Sequence, residues 1–520
     1  MVQGSWPTIN CQPAVCPKPS HQRTDDQCHR QRGAAAFSRS HRRSETHVPS
    51  HERRTRRMHR LASEAVNTAT SDAQSVTPFW SAALIAGVSG LLALMLRCYF
   101  VTHAHVLQPV DESSLRGDAI QYYRYAWNLL HRHVFSSASS VSLIASPNSF
   151  RDPGYPALMA IVMGCTRNFS TFYTAMLLVQ ASLGAATVSI IVMAARDWLP
   201  RSALVIAAVL IAVWPHSVSI TLYLLSETWL GFLCACAMMA LSWASKRPSA
   251  ARVTVAGLLF GMAALTNAVV IPFASLLAAF LWLRKTLGTQ AAMALALASL
   301  ALPLSWGMRS LTLPPGDSAT SRAITNFVQG SWPTYHVAFK LAIIGDADSK
   351  DQLRGMQYEM DLLRKDPAAG LSLMQHRMSQ LPWPYLRWYL GKPRLLWDWD
   401  IQIGQGDIYV YDTVDSPFAR GGPLAPLETV CFLLNNLIML LAAVGAAVAL
   451  IGQRRNAFAI ACACLALFVT LVYSVLQSEP RYSIPFRGIE MLLAAGGATW
   501  IVSRFRKRGT TDNVKEENAA

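Results

Sequence analysis

Four short polar clusters interrupt a largely apolar chain, and their residue types define the chemistry open to it. The first is Arg116-Gly117-Asp118-Ala119-Ile120-Gln121-Tyr122. Asp118 opens a helix there, on the face of Tyr122 and Tyr125. An Asp at that place caps the helix, or stands as a carboxylate able to take a hydroxyl proton. The second cluster is Phe150-Arg151-Asp152-Pro153-Gly154-Tyr155-Pro156. The planar donor fork of Arg151 suits a phosphate; the alternatives are an anchor at a membrane surface and a partner for Asp152. The third is Ser226-Glu227, with Glu227 the one carboxylate between Asp197 and Asp317. An acid so isolated in apolar sequence is a functional residue or a hydrogen-bonding hub. The fourth is Ser478-Glu479-Pro480-Arg481-Tyr482, where Arg481 snorkels or holds an anion. His216 follows Pro215 and reads as a satisfied interfacial histidine ahead of a metal ligand.

The elements that must position these residues are membrane spans. The chain has 520 residues, 52% hydrophobic and 15% charged, against about 25% charged in soluble domains. That balance excludes general disorder and an ordinary soluble globule. A helix needs about 20 apolar residues to cross a bilayer. Runs near 78–100, 171–195, 201–221, 223–245, 253–268, 270–284, 289–308, 426–451, 456–476 and 484–503 predict about ten transmembrane helices in an all-α polytopic protein. With ten spans, Arg196 and Arg201, Lys246 to Arg252, Arg284 and Lys285, Arg454 and Arg455 and the basic tail 504–520 share one side with the N-terminus. The positive-inside rule makes that side cytoplasmic. Segments 101–170, 309–424 and 477–483 then face outward. The apolar stretch 153–168 is expected as an interfacial helix, since a further full span would turn Arg196 and Arg201 outward.

The organisation expected is a basic cytoplasmic tail at 1–75, a membrane domain at 78–308 carrying the first external loop 101–170, an external loop at 309–424, and the last spans at 426–503. The tail has too little apolar surface to offset ordering entropy and is expected to be disordered. It lacks the apolar stretch of a signal peptide, and Met58 offers an alternative start. Its arginines at 53–60 read as a solvated face, so no nucleic-acid partner is expected. Cys11, Cys16, Cys28 and His29 do not match a zinc spacing. The other cysteines lie in or beside apolar runs, and none falls in 309–424, so no disulfide framework is implied. Within 309–424, residues 350–381 read as helical, and the tryptophans of 381–400 as a membrane-interface belt with a minority available to a sugar ring. The heptapeptide Val-Gln-Gly-Ser-Trp-Pro-Thr occurs at 2–8 and again at 328–334.

In this order the motifs resemble the C-type (GT-C) glycosyltransferase superfamily, particularly bacterial relatives of protein O-mannosyltransferases and lipid A aminoarabinose transferases. The points of likeness are Asp118-Ala-x-x-Tyr122, Arg151-x-Pro-Gly-Tyr-Pro156, Ser226-Glu227, Gly257 to Asn267 and Arg481-Tyr482-x-x-Pro485, over residues 78–503. The resemblance implies a multi-pass enzyme of the bacterial inner membrane, both termini cytoplasmic, taking a sugar from a polyprenyl phosphate at the outer face. The acceptor would be a lipid, a glycan or a protein. Asp118 and Glu227 would be catalytic; Arg151, Tyr122, Asp152, Tyr155, Arg481 and Tyr482 would bind substrate. Ala119 and Phe150 stand where many relatives carry acids, and Asn267 where many carry Arg, so no metal or other cofactor is confidently implied. Attack at an anomeric carbon with one base, Asp118, and a phosphate leaving group held by Arg151 predicts inversion. The competing readings are a transporter or lipid flippase, and a polymerase or ligase of surface polysaccharide.

Overall fold

The computed structural model describes residues 77–106, 111–246, 249–313, 318–452 and 456–517, with side chains to Phe505. The tail 1–75, its three cysteines and the first heptapeptide lie outside the described residues. Among the described residues, six helices are long and apolar enough to cross a membrane: α1 (Phe79–His103), α4 (Phe169–Ala195), α7 (Glu227–Lys246), α10 (Thr289–Leu311), α16 (Ala425–Ile451) and α17 (Ala457–Val475). The helices α5 (Arg201–Val213) and α6 (Pro215–Ser219) continue through a turn to Leu222 and are long and apolar enough only as a pair bent by 46°, the form of a broken span or a re-entrant loop.

The other expected spans are shorter or different. Expected spans 253–268 and 270–284 appear as α8 (Ala250–Ala264) and α9 (Phe273–Leu283), joined by a turn at Ala268–Val270. At 1.5 Å per residue, 15 and 11 residues fall short of a hydrocarbon core about 30 Å thick. The last expected span is α18 (Arg487–Glu517), entered through a 3-10 turn at Pro480–Phe486. The interfacial segment 153–168 is the 11-residue helix α3 (Gly154–Gly164).

Both helix breaks have local causes. Pro215 has no N–H, and Trp214 before it is extended, so α5 ends there and its last carbonyls lose helical partners. Arg97, buried within α1, donates from Nη1 to the freed carbonyl of Ala212 at 3.4 Å and to Ala93 O at 3.1 Å. A cation at a helix C-terminus is favourable, which explains a charge inside a span. At the second break, Asn267 turns its side chain onto Val269 N, and Ala268 N donates to the Asp152 carboxylate at 3.1 Å. Gly154 sits against this break, its N–H on Leu265 O at 2.7 Å. A Cβ there would strike Thr266 and Leu265, so only glycine allows the approach.

The helices have two distinct ends. At one, Thr77 N donates to Arg196 O, Lys246 pairs with Asp197, Asn456 donates to Asp197 O and Arg284 to Gly452 O. The basic loops therefore gather together. At the other end, α2 (Gly117–Arg132) and the turn before Arg487 meet the start of α7. The length of α7, about 30 Å, separates the two.

Residues 309–424 are more ordered than a loop. They form α11 (Ala319–Ser331), α12 (Tyr335–Ile343), α13 (Ala347–Lys365), α14 (Pro367–Gln380) and α15 (Pro382–Leu396). Val328, Tyr335, Met356, Met360, Leu363 and Met374 make a small core of their own. A two-stranded antiparallel pair, β1 (His105–Val106) with β2 (Thr413–Val414), ties this region to the first loop. The second heptapeptide closes it against the spans. Gly330 abuts the backbone at Leu476 and Gln477 with no room for a Cβ, and Gly330 O accepts from Trp388 and Lys392 at 2.9 Å each.

The pair α16 and α18 packs through glycines. A Cβ on Gly445 would overlap Leu493 O, and one on Gly497 would overlap Leu441 O. Such backbone approach is how small residues hold membrane helices together. Gly445→Val is expected to destabilise the protein by about 2 kcal/mol or more through overpacking. Gly307→Ala, where a Cβ meets nothing within 4 Å, is expected to be neutral. Thermal melts of the two variants in detergent check the contrast.

Candidate active site

Asp118 is on the first turn of α2, after Gly117 with φ +55°. A Cβ on Gly117 would lie 3.3 Å from the Tyr411 hydroxyl, so glycine serves both the turn and the approach. Asp118 does not cap the helix. Its Oδ1 accepts from Arg151 Nη2 at 2.5 Å, and its Oδ2 from Arg481 Nη2 at 2.5 Å. Arg481 Nε lies 2.7 Å from Glu227 Oε1. Four charges thus alternate in one line: Arg151, Asp118, Arg481, Glu227. They come from the loop before α3, from α2, from the turn before α18 and from the start of α7.

Each member is held from behind. Arg151 Nε donates to Gln121 Oε1 at 2.7 Å, and its guanidinium lies over the Tyr122 ring at 5.1 Å. Tyr122 meets Tyr155 edge-on and reaches Ser226 Oγ at 3.3 Å. Tyr155 is fully buried and donates to Gln180 Oε1 at 2.8 Å. Gln180 Nε2 in turn donates to Thr221 O and Tyr223 O, fixing the extended segment that leads into Glu227. Tyr482 stacks on Tyr473 at 4.9 Å beside Arg481.

Burial pushes the Asp118 carboxyl up, but Arg151 and Arg481 outweigh it and hold the group well below the usual carboxylate range. In this arrangement Asp118 is an anchor for two cations. Glu227 keeps one oxygen, Oε2, without a hydrogen-bond partner. Glu227 and Thr228 also border a cavity lined by Arg97, Thr187, Ser217 and Gly231, of about 560 Å³ of empty space including its mouth.

Of the residues expected at the site, the structure brings Asp118, Arg151, Tyr122, Arg481, Tyr482 and Glu227 together. Two stand apart. Asp152 Oδ2 is taken by Arg322 Nη2 at 2.7 Å and by Ala268 N, so it pins α11 and the α8–α9 break to the loop that carries Arg151. Tyr155 presents no surface to a ligand and works through Gln180. His216 is buried, its Nε2 2.8 Å from Trp399 O and its ring edge-on to Trp399, while its Nδ1 has no hydrogen-bond partner, so it is a core histidine satisfied at one nitrogen. Gln121, Gln180, Arg322 and Glu479 were missed. Gln121 had a signal, lying three residues after Asp118 on one helical face. Glu479 lay in the fourth polar cluster beside Arg481, whereas Gln180 and Arg322 sit where nothing in the local sequence marks them.

Among the described residues, no three His, Cys, Asp or Glu side chains gather to hold a metal ion. The partners of Asp118 are two guanidiniums, which is not a divalent-cation donor set.

Glu479 supports the turn that carries Arg481. It is buried, its Oε1 accepts from Gln402 N at 2.6 Å and Ile403 N at 3.3 Å, and its Oε2 lies 3.3 Å from His336 Nε2. Burial pushes this carboxyl up to about 8 and pushes His336 down to about 4. At neutral pH the proton therefore sits on the carboxyl, with Lys340 and Arg481 as the nearby cations.

No family model matches the sequence, and no curated protein matches it. Among solved structures, the chain is similar to an oligosaccharyltransferase of Archaeoglobus fulgidus in its apo form, at TM-score 0.46 and 14% identity over 84% of this chain and 52% of that one. It is also similar to the archaeal oligosaccharyltransferase AglB from Archaeoglobus fulgidus in complex with an inhibitory peptide and a dolichol-phosphate, at TM-score 0.44 and 14% identity over 83% and 51%. A third similar structure is ArnT from Cupriavidus metallidurans bound to undecaprenyl phosphate, at TM-score 0.32 and 12% identity over 80% and 77%. The chain spans about half the length of the two archaeal structures.

The raised Glu479 fixes the sign of a pH effect. A carboxyl whose folded pKa lies above its unfolded value contributes stability below the unfolded value and loses it as pH rises through the folded one. The melting-temperature advantage of the wild type over Glu479→Gln is therefore expected to shrink as pH rises from 6 to about 8. Melts of both proteins across that range check it; an advantage that grows with pH would contradict it.

Proposed function

We propose that this chain is a membrane glycosyltransferase that moves a sugar from a polyprenyl-phosphate donor to an acceptor at the outer face of the bacterial inner membrane. The observation that carries the reading is the bridge of Asp118 between Arg151 and Arg481, at the helix end opposite the basic loops. By the positive-inside rule that end faces outward, where the donor sugar would be presented. Two partly buried arginines joined by one carboxylate suit a phosphate, which offers them stronger, bidentate partners.

The chemistry follows from an exchange of partners. The donor phosphate draws Arg151 and Arg481 toward its oxygens and frees an Asp118 oxygen. That oxygen takes the proton of the acceptor hydroxyl. The acceptor oxygen bonds to the anomeric carbon as the bond from that carbon to the phosphate oxygen breaks. Polyprenyl phosphate leaves with the electron pair, and the two guanidiniums stabilise its growing charge. Direct displacement with one base inverts the anomeric centre. Glu227 keeps Arg481 aimed throughout. Tyr122 lies beneath Arg151, and Tyr482 beside Arg481, as walls for the sugar.

The breaks at Pro215 and Asn267 favour a second reading, a transporter or flippase, because transporters build sites from broken helices. The line of alternating charges lies at the helix end, which favours bond-making chemistry. Purified protein given labelled polyprenyl-phosphate sugar and extracted membranes is expected to release polyprenyl phosphate and transfer label. Asp118→Asn is expected to lower turnover by about 10²–10⁴-fold, the range for loss of a general base. Movement of donor across vesicles with no bond cleavage, or full turnover in Asp118→Asn, would overturn the proposal.

A further inference from the structure

Helix α15 (Pro382–Leu396) has two faces with opposite surroundings. On the inner face Lys392 is fully buried, and its Nζ donates to Gly330 O at 2.9 Å and to Leu476 O at 2.5 Å, with Val475 O at 3.4 Å. Its own carbonyl accepts from Ser478 Oγ at 3.0 Å. Val475 is the last residue of α17, a membrane-crossing helix. These bonds set the depth of α15 to within one helical turn of the end of a span.

The outer face is apolar and unpaired. Trp383 is 76% exposed, Leu386 48% and Leu390 71%. They recur at i, i+3 and i+7, so they form one stripe. Arg387 and Arg394, each four residues beyond Trp383 or Leu390, are exposed beside it. The neighbouring α12, in ring contact through His336 and Trp388, adds exposed Val337, Leu341 and Ile343. Large apolar side chains grouped like this are unfavourable in water. At the end of a span they face the boundary between headgroups and acyl chains, where tryptophan is favoured and arginine reaches lipid phosphates.

We propose that α15 lies flat in the headgroup layer as a membrane foot. Trp383, Leu386 and Leu390 enter the upper acyl chains, and Arg387 and Arg394 bind the phosphates of anionic lipids. The foot connects to the site, since Lys392 and Ser478 join it to the segment that runs on to Glu479 and Arg481. Lipid contact on one face therefore steadies the turn that carries a site arginine. The inference does not depend on glycosyl transfer.

The test uses the full chain in vesicles of phosphatidylcholine, alone or with about one third phosphatidylglycerol, with acyl chains brominated near the headgroup. The chain has 15 tryptophans. The share of emission from Trp383 is read as wild type minus Trp383→Phe. That share is expected to fall by about half or more in brominated vesicles, and to resist a water-soluble quencher. The share of Trp388, read the same way from Trp388→Phe, is expected to fall less, because it packs inward. The double variant Arg387→Ser with Arg394→Ser is expected to keep its melting temperature and lose the extra quenching that phosphatidylglycerol brings. Trp383 emission untouched by bromine and fully open to the aqueous quencher would overturn the inference. So would protection that comes only on adding an acceptor protein, which would make the face a protein-docking surface. Equal quenching in both lipid mixtures would overturn the part played by the arginines.

Discussion

The structure depends on placing two partly buried arginines at the end of a helical bundle. A buried cation without a partner is destabilised by several kcal/mol, and a buried pair is tolerated only when its geometry is good. Here Asp118 accepts from one arginine on each oxygen, and Glu227 closes the line beyond Arg481. The four formal charges sum to zero. They also staple four separate segments into one site. In the proposed reaction, a donor phosphate that takes one guanidinium disturbs all four.

The scaffold meets this demand by breaking regular structure where polar groups are needed. Pro215 ends α5, and the freed carbonyl there receives Arg97. Asn267 ends α8, and the freed N–H that follows goes to Asp152, the residue next to Arg151. Arg322 donates to the same Asp152 oxygen, Oδ2, so a helix of the 309–424 region helps aim a residue of the first loop. Arg487, fully buried at the start of α18, binds Glu490, Asn435 and the carbonyls of Trp397 and Asp398. It anchors the aromatic segment and the last span just beyond Arg481. Glycines at 154, 330 and 445 let backbone meet backbone at these joints.

Hydropathy made the apolar helices legible, because a span must be a long apolar run. Their true lengths were less legible. Residues 253–284 look like two spans in composition, yet the break at Asn267 depends on Asp152, more than 100 residues away. The site residues Asp118, Arg151, Glu227 and Arg481 stood out because charge is rare beside spans. Their pairing did not, since Asp118 and Arg481 are 363 residues apart. Asp152 and Tyr155 shared a motif with Arg151, and only coordinates show that they point into the scaffold. Helices α11 and α12 were missed because they are short, although Ile324, Phe327 and Val328 of α11 recur at i, i+3 and i+4 and offered a signal. The second heptapeptide acquired a reason in Gly330, which no sequence pattern supplies.

The most direct test of the central claim is a structure of the protein in lipid with polyprenyl phosphate bound. The account predicts phosphate oxygens within about 3 Å of both Arg151 and Arg481, and at least one Asp118 oxygen released from its guanidinium. A phosphate bound elsewhere while both arginines remain on Asp118 would contradict it.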